Sequence, residues 1–274
     1  MERESKEVSN MKVINLLKRY SIITWLIFIA IWQFASLFYT KSFLPGPLET
    51  LSGAKDILLD GTLLRFVGVS ILRVLKGWTI SMCIGIPFGI LIGKNKTSKQ
   101  LFEPFVNFFR FIPAISLLTM FLMWFGVGEQ SKVAIIIYAS CFTIIVNTVT
   151  GVVSVEQQRI QAARSLGAHE LQVTFSVIFP SAVPYIFNGV RLGLGSAYTA
   201  IVGAEMLASN EGIGYLIYTS RLYFRMDWVL TGVLVLGLMG FFSDKLLRCF
   251  GLHFLKRYGV IDQMIEDAGD SVKK

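Results

Sequence analysis

The chain has 274 residues, of which 54% are hydrophobic and 16% are charged, and its formal net charge is +8. An ordinary soluble domain carries about 25% charged residues, so this composition argues against a soluble protein. The positive charge does not indicate a nucleic-acid partner, because the basic residues lie between apolar runs rather than on one amphipathic element. The three cysteines form no CxxC pair and no Cys/His cluster, which indicates neither a disulfide framework nor a metal site.

Six apolar runs approach the length of a membrane span. A helix that crosses about 30 Å of hydrocarbon needs roughly 20 mostly apolar residues, so the pattern predicts an all-α membrane protein with about six transmembrane helices. We interpret the first run as a retained anchor rather than a signal peptide, because no small-residue cleavage site follows it. In chain order the predicted spans are residues 21–39, 77–93, 104–125, 133–153, 186–207 and 228–242.

The distribution of lysine and arginine predicts the orientation of these spans. With the N-terminus in the cytoplasm, 16 Lys/Arg residues lie in the inner segments and six in the outer segments. Cytoplasmic loops carry the excess of positive charge in membrane proteins. Both termini are therefore predicted to be cytoplasmic.

Two further patterns bear on packing. Residues 65–78 are amphipathic, and they predict a surface helix that leads into the second span. Small residues also recur every four positions in two spans, a spacing that lets helix backbones approach closely. This spacing fits packing within the chain or an interface between two chains. The small residues are Gly85, Gly89 and Gly93 in one span and Gly189, Gly193 and Ala197 in the other.

The segment between the fourth and fifth spans, residues 154–184, carries a distinct helical pattern. Residues 156–166 have a helix-forming composition, and Gly167 follows where a helix end favours a residue with positive φ. A second amphipathic stretch, residues 170–179, is predicted to end at Pro180. By composition alone, this loop could lie on lipid headgroups or dock a cytoplasmic partner.

Polar residues inside the predicted spans are candidate functional residues. A charged side chain that faced lipid would cost on the order of a few kcal/mol. Arg110 and Glu205 are therefore candidates for a translocation path or its gate, with Asn147 as a further candidate. The alternatives are that Arg110 snorkels to a membrane surface, that Glu205 caps or cross-links helices, and that Asn147 is a bonded packing residue.

The loop resembles the EAA loop of ATP-binding-cassette (ABC) importer permeases. The family pattern is Glu-Ala-Ala, three residues, Gly, nine residues, then Ile, any residue, Leu and Pro. The chain departs from it where Gln161 replaces Glu, Val177 replaces Ile and Phe179 replaces Leu. The matching stretches are Gln161-Ala162-Ala163-Arg164-Ser165-Leu166-Gly167 and Val177-Ile178-Phe179-Pro180.

The resemblance extends from about residue 44 to 247 and is closest to the nitrate/sulfonate/taurine branch of these permeases. It implies the type I ABC importer permease fold with a cytoplasmic coupling helix. The stretches that carry it include Leu44-Pro45-Gly46-Pro47, Ser70-Ile71-Leu72-Arg73-Val74-Leu75-Lys76-Gly77, Arg110-Phe111-Ile112-Pro113, Trp124-Phe125-Gly126-Val127-Gly128, Gly203-Ala204-Glu205-Met206 and Gly212-Ile213-Gly214-Tyr215-Leu216.

The resemblance also implies a division of labour. Two permease chains would form the path, cytoplasmic ABC ATPase subunits would dock on the EAA loops, and an extracytoplasmic binding protein would deliver the solute. The implied ATPase-coupling residues are Gln161, Ala162, Ala163, Arg164, Gly167 and Pro180. ATP and Mg would be bound by the partner ATPase and no cofactor by this chain, which shows no GxxxxGK[ST] loop.

The resulting domain prediction is a cytoplasmic tail over residues 1–20, a permease domain over 21–250 with its core at about 70–247, and a second cytoplasmic tail over 251–274. Two rival functions lack support in the sequence. A secondary transporter would show paired hydropathy repeats, and no convincing repeat occurs. An enzyme would need a nucleophile, base or metal constellation, which His169 and His253 do not supply. The solute and the identity of the second permease chain, the same or different, stay open.

Overall fold

The computed structural model describes residues 22–255, without the side chains of residues 252–255. Within that range the chain forms helices and turns and no strand, which confirms the predicted all-α fold. A 3₁₀ turn (Ala114–Leu117) precedes α5, and a π turn (Thr174–Ile178) joins α8 to α9. The helices are α1 (Ile22–Ser36), α2 (Pro47–Leu59), α3 (Thr62–Lys94), α4 (Lys96–Arg110), α5 (Leu118–Phe125), α6 (Glu129–Val153), α7 (Gln157–Ser165), α8 (Glu170–Val173), α9 (Phe179–Ala208), α10 (Ile213–Leu222) and α11 (Met226–Leu255).

Among the described residues, four helices are long and apolar enough to cross a membrane: α3, α6, the continuous helix Glu170–Ala208, and α11. The bent pair α4–α5 makes a fifth if it counts as one span. The remaining predicted span falls on α1, which is apolar but shorter, and its predicted start at Ser21 lies outside the described residues. The predicted tail over residues 1–20 lies outside the described residues, as do residues 256–274 of the predicted tail 251–274, whose first five residues continue α11.

The described chain forms two compact units. The first contains residues 22–63 and Ile217–Gly232. In it, the Thr231 hydroxyl donates a hydrogen bond to the Thr50 carbonyl at 3.2 Å. Arg225 pairs with Asp227 at 2.7 Å, and the pKa of Arg225 is raised because the Asp227 carboxylate accepts its hydrogen bonds.

The second unit, Leu64–Leu216 with residues 233–255, is built around α6. Four glycines and Ser81 recur every four residues along α3 and face residues of α6 at the same spacing, and the Ser81 and Ser140 hydroxyls meet at 2.7 Å. Gly189 and Gly193 of α9 lie against α6 from another side. The small-residue repeats therefore serve packing within the chain. The facing pairs of α3 and α6 are Gly77–Ile136, Gly85–Ile144, Gly89–Thr148 and Gly93–Val152.

The prediction for residues 65–78 is confirmed for a helix that leads into the second span, but it is wrong in placing the polar side of that helix at a surface. These residues form the first part of the single long helix α3, and Arg73 and Val74 are buried. The amphipathic pattern arises because Arg73 is paired with acidic side chains inside the protein rather than with water or lipid headgroups. A repeat of 3.6 residues in the sequence shows which face of a helix is polar. It does not show whether that face meets water, lipid headgroups or other side chains.

The predicted third span is bent rather than straight. The axes of α4 and the following helical segment Ala114–Phe125 differ by 86° across the short break that contains Pro113. Proline favours an extended conformation in the residue before it, so a helix usually ends there. The break directs α5 away from α4.

The close contact of α3 with α6 predicts a strong effect of one methyl group. A Cβ atom on Gly89 would lie 2.6 Å from the Thr148 Cβ and 3.1 Å from the Ile145 carbonyl oxygen. Overpacking of this kind costs about 1–3 kcal/mol, so we expect Gly89→Ala to lower the temperature at which the purified chain loses its monodisperse peak in size-exclusion chromatography. Gly68→Ala, in the same helix with no atom within 4 Å of the new Cβ, is the matched control. Equal midpoints for the two variants would contradict the packing described.

Candidate functional site

The segment between α6 and α9, residues 154–178, is here named the α7 loop. Most of α7 is exposed, including Gln161 and Ala162, whereas Ile160 on its opposite face is buried. Leu166, directly after α7, is 89% exposed. The loop therefore presents two small residues, Ala162 and the half-buried Ala163, beside a protruding leucine, which suits a surface that a partner approaches closely.

The end of α7 is set by Gly167. Its φ of +81° lies in the left-handed region. Its amide donates to the Arg164 carbonyl at 2.9 Å, and the Ala168 amide donates to the Ala163 carbonyl at 3.1 Å. These two bonds form a Schellman motif, which satisfies the carbonyl groups at the helix end. The predicted helix end at Gly167 is thus confirmed.

The end predicted at Pro180 is wrong. Pro180 lies in the first turn of α9, and the chain is helical from Glu170 to Ala208 through the π turn. A proline within a continuous helix lacks the amide that would donate the intrahelical hydrogen bond at its position. The π turn just before Pro180 lets α8 and α9 continue as one helix.

Ion pairs hold the α7 loop to the end of α3. The Glu170 carboxylate lies 2.8 Å from Arg164 at the end of α7 and 3.3 Å from Lys94 at the end of α3. The Lys94 ammonium also donates to the Glu170 carbonyl at 3.4 Å. The Arg164 and Glu170 side chains are more than half exposed, so the pairs orient the loop more than they stabilise the fold.

A cavity of about 600 Å³ lies at the break between α4 and α5. Arg110 and Pro113 line it from the break, with Tyr138 and Thr143 of α6 and Ser196 of α9. Most of the remaining lining is apolar. A few hydroxyl groups and one guanidinium in an otherwise apolar cavity are the features of a small-molecule site.

Arg110, the first candidate path residue, is exposed at this cavity. Its guanidinium stands over the Phe111 ring at 5.0 Å. Within residues 22–255 it has no carboxylate partner in ion-pair range. An unpaired charge is costly in hydrocarbon, and both roles predicted for Arg110, in the path or at a membrane surface, keep its guanidinium in water.

Glu205, the second candidate, lies outside the cavity lining and is fully buried. Its carboxylate accepts hydrogen bonds from the Arg73 guanidinium at 2.9 Å, the Ser70 hydroxyl at 2.8 Å and the Gly214 amide at 2.9 Å. Arg73 also binds Glu129 in a bidentate pair at 2.6 and 2.7 Å. These contacts agree with the alternative that Glu205 cross-links helices, because they join α3, α6, α9 and α10.

Asn147, the third candidate, is half-buried on α6. Its amide nitrogen donates to the Thr143 carbonyl at 2.9 Å, and its amide oxygen accepts from Asn188 of α9 at 3.2 Å. Its Cβ also contacts Gly189. These are the contacts of a bonded packing residue. Asn147 is not among the residues that line the cavity at the break, which include Arg110.

The structure therefore brings together Gln161, Ala162, Ala163, Arg164 and Gly167 in one loop, but it separates Arg110 from Glu205. Among residues 22–255, no group of three or more His, Cys, Asp or Glu side chains could hold a metal ion. The sequence analysis missed Arg73 as the partner of Glu205 and Asp244 as the partner of Arg191, at 2.8 Å. For each of these two pairs, the sequence feature that could have predicted the contact is a residue of opposite charge in another span.

Comparison with known proteins agrees with this architecture. Residues 85–258 match the family described as binding-protein-dependent transport system inner membrane component. A probable ABC transporter permease protein of Brucella melitensis is 38% identical over 205 residues, covering 75% of this chain and 83% of that protein. The taurine transport system permease protein TauC of Escherichia coli is 33% identical, covering 79% and 81%. The putative aliphatic sulfonates transport permease protein SsuC of Bacillus subtilis is 30% identical, covering 84% of each.

Two solved structures share the fold. An inward-facing MetNI methionine ABC transporter chain is 21% identical, with a TM-score of 0.58 over 69% of this chain and 95% of that one. A chain of an amino acid ABC transporter is 16% identical, with a TM-score of 0.57 over 74% and 97%. At these identities the likeness shows the fold alone. With the family match and the closer relatives, it leads to one conclusion: the chain belongs to the family of binding-protein-dependent transport system inner membrane components and is the permease subunit of an ABC importer.

Proposed function

We propose that this chain and a second permease chain form the translocation path for a small solute of the nitrate, sulfonate or taurine type. An extracytoplasmic binding protein delivers the solute, and separate cytoplasmic ATPase subunits, which hold ATP and Mg, drive its passage. The chain itself binds no cofactor and no metal. The single observation that carries the proposal is the exposed α7 loop, which ends in a Schellman motif at Gly167 and is tied to α3 through Glu170.

The loop has the properties that a coupling element needs. It lies between two helices long enough to span the membrane, α6 and α9, and its ion pairs extend to the end of a third, α3. A displacement of α7 by a partner would therefore act on all three helices. Gln161, Ala162, Ala163 and Arg164 form the docking face in this proposal, and Pro180 starts the helix that carries the motion onward.

The orientation follows from the same assignment. If the α7 loop docks an ATPase, it faces the cytoplasm of a bacterial cell, and residues 1–20 and 251–274 lie on the same side by the count of spans. The permease domain occupies residues 21–250. The excess of Lys and Arg in the inner segments supports this arrangement.

The cavity at the break is proposed as part of the path. Arg110 supplies an unpaired positive charge beside hydroxyl groups, which suits a nitrate or sulfonate group. The proposed path roles of Glu205 and Asn147 stay predictions, and both side chains already have partners within the chain.

Replacing Gly167 tests the coupling role. Any L-residue at a φ of +81° carries strain of about 1–3 kcal/mol, and an arginine side chain would also add bulk and charge to the docking face. We expect Gly167→Arg to lose the ATPase subunit on co-purification from membranes of the cell of origin, or to retain it without solute-stimulated ATP hydrolysis in lipid.

Gly61→Arg is the matched control for this experiment. Gly61 has a φ of +79° and, like Gly167, no atom within 4 Å of an added Cβ, but it lies between α2 and α3. The control should keep the ATPase. The proposed function would be refuted by a native chain that purifies without any ATPase and still transports solute when an ion gradient is the energy source. That result would favour a secondary transporter.

Replacing Arg110 tests the path. A hydrogen bond to a charged group contributes about 1.5–3 kcal/mol, so we expect Arg110→Gln to lower uptake about tenfold or more without loss of the ATPase, and Arg110→Lys to lower it less. Uptake of radiolabelled taurine, an aliphatic sulfonate and nitrate by intact cells is the measurement. Lys96→Gln, at the exposed start of the same helix, is the control. Unchanged uptake with Arg110→Gln would remove Arg110 from the path.

A further inference from the structure

Helix α4 has three faces of different character. One face packs against α3 and α6 through Phe102 and Val106. A second face is apolar and exposed, at Leu101, Phe105 and Phe108, each about 60% exposed. Such a surface suits lipid or another apolar partner.

The third face carries a row of polar side chains. These are Lys99, Glu103, Asn107 and Arg110, here named the α4 polar stripe. Their spacing of four, four and three residues keeps them on one side of a helix with 3.6 residues per turn. The stripe lies opposite the exposed apolar face, so α4 presents two unlike surfaces to its surroundings.

Two cavities lie along this stripe. Lys99, Glu103 and Asn107 line one of about 320 Å³, together with Thr150 of α6 and Ser154, the first residue of the α7 loop. Arg110 lines the larger cavity at the break, of about 600 Å³. The stripe therefore continues from one cavity into the next.

The same face of α6 lines both cavities. Thr143 belongs to the larger cavity and Val146 to the smaller one, within one helical turn of each other. The smaller cavity reaches Ser154, which directly follows α6 and begins the α7 loop. The two cavities therefore lie one after the other along α4 and α6. They extend from the break between α4 and α5 to the end of α6, where the α7 loop begins.

The stripe is poorly satisfied by its own neighbours. The Lys99 and Glu103 side chains are 35% and 50% exposed and stand 3.9 Å apart, the limit of an ion pair. Within the described part of the chain, the one charge-related contact of the Arg110 guanidinium is with the Phe111 ring. Charged side chains within membrane spans face water-filled cavities or partners rather than lipid, so this face of α4 is wetted.

We infer that the α4 polar stripe lines the inner leg of the translocation path, between the cavity at the break and the side of the α7 loop. This inference rests on the proposed function and adds Lys99, Glu103 and Asn107 to the path. The stripe carries two positive charges and one negative charge, so the leg favours anions over cations. Lipid headgroup contact is the competing explanation of the same polar row.

Thiol labelling distinguishes the two explanations. In a Cys83→Ala/Cys249→Ala background, which leaves only the buried Cys141, the test variants are Asn107→Cys and Glu103→Cys, with Phe105→Cys and Phe108→Cys as controls on the apolar face. Inside-out membrane vesicles from the cell of origin are treated with anionic sulfonatoethyl or cationic trimethylammonium-ethyl methanethiosulfonate. Thiols in water ionise and react, whereas thiols in an apolar environment do not.

We expect Asn107→Cys to react about tenfold faster than Phe108→Cys, and faster with the anionic than with the cationic reagent. Trapping with ATP and vanadate should slow the reaction, because the inner leg closes when the ATPases close. Glu103→Cys provides the same readout if Asn107→Cys does not fold.

Either of two results would overturn the inference in favour of lipid contact. In one, the thiols on the stripe are labelled as slowly as the controls; in the other, they are labelled fast but ATP and vanadate do not change the rate. If the ATPase is intact in the same vesicles and uptake is intact in the cells from which they are made, that result leaves the proposed function standing. Vesicles of the native chain that lack any associated ATPase would instead refute the proposed function, and the inference with it.

Discussion

The backbone of α6 lies within close reach of α3 on one side and α9 on another, and the other features of the second unit depend on this contact. Lipid is as apolar as leucine, so helices in a membrane gain little by hiding apolar surface from one another, and close packing of small residues contributes instead. Gly89 and Gly93 permit the approach on the α3 side, and Gly189 and Gly193 on the α9 side. Both cavities lie on a face of α6 that α4 also borders, and α9 lines the larger one as well.

Charges in the spans are of two kinds, and their partners distinguish them. Arg73 and Arg191 bind carboxylates with short, bidentate geometry, which serves the junctions between helices. A buried pair of this kind is weak evidence for a net gain in stability, but the loss of one partner is strongly destabilising. Arg110 has no such partner among the described residues and faces a cavity. The same residue type therefore has a structural role in two places and a proposed transport role in a third.

Much of the architecture could be predicted from the sequence, because hydrophobic length reports a span and positive-φ glycine reports a helix end. The end of α6 at Val153 and the end of α7 at Gly167 are examples. The 86° break after Arg110 was less predictable, since Pro87 and Pro184 lie inside helices that continue. The burial of Arg73 could not be predicted from local pattern, because its partners Glu129 and Glu205 lie 56 and 132 residues further along the chain.

The long sequence separation within the Arg73 cluster has a consequence for synthesis of the protein. Chains grow at roughly 5–20 residues per second, so Arg73 precedes Glu205 by on the order of ten seconds. During that interval Arg73 can meet Glu129, 56 residues after it, but the Glu205 carboxylate and the Gly214 amide that complete the cluster do not yet exist. The final packing of α3 is therefore a late step of biogenesis, and mutations at Glu205 would first show as chains retained or degraded during insertion.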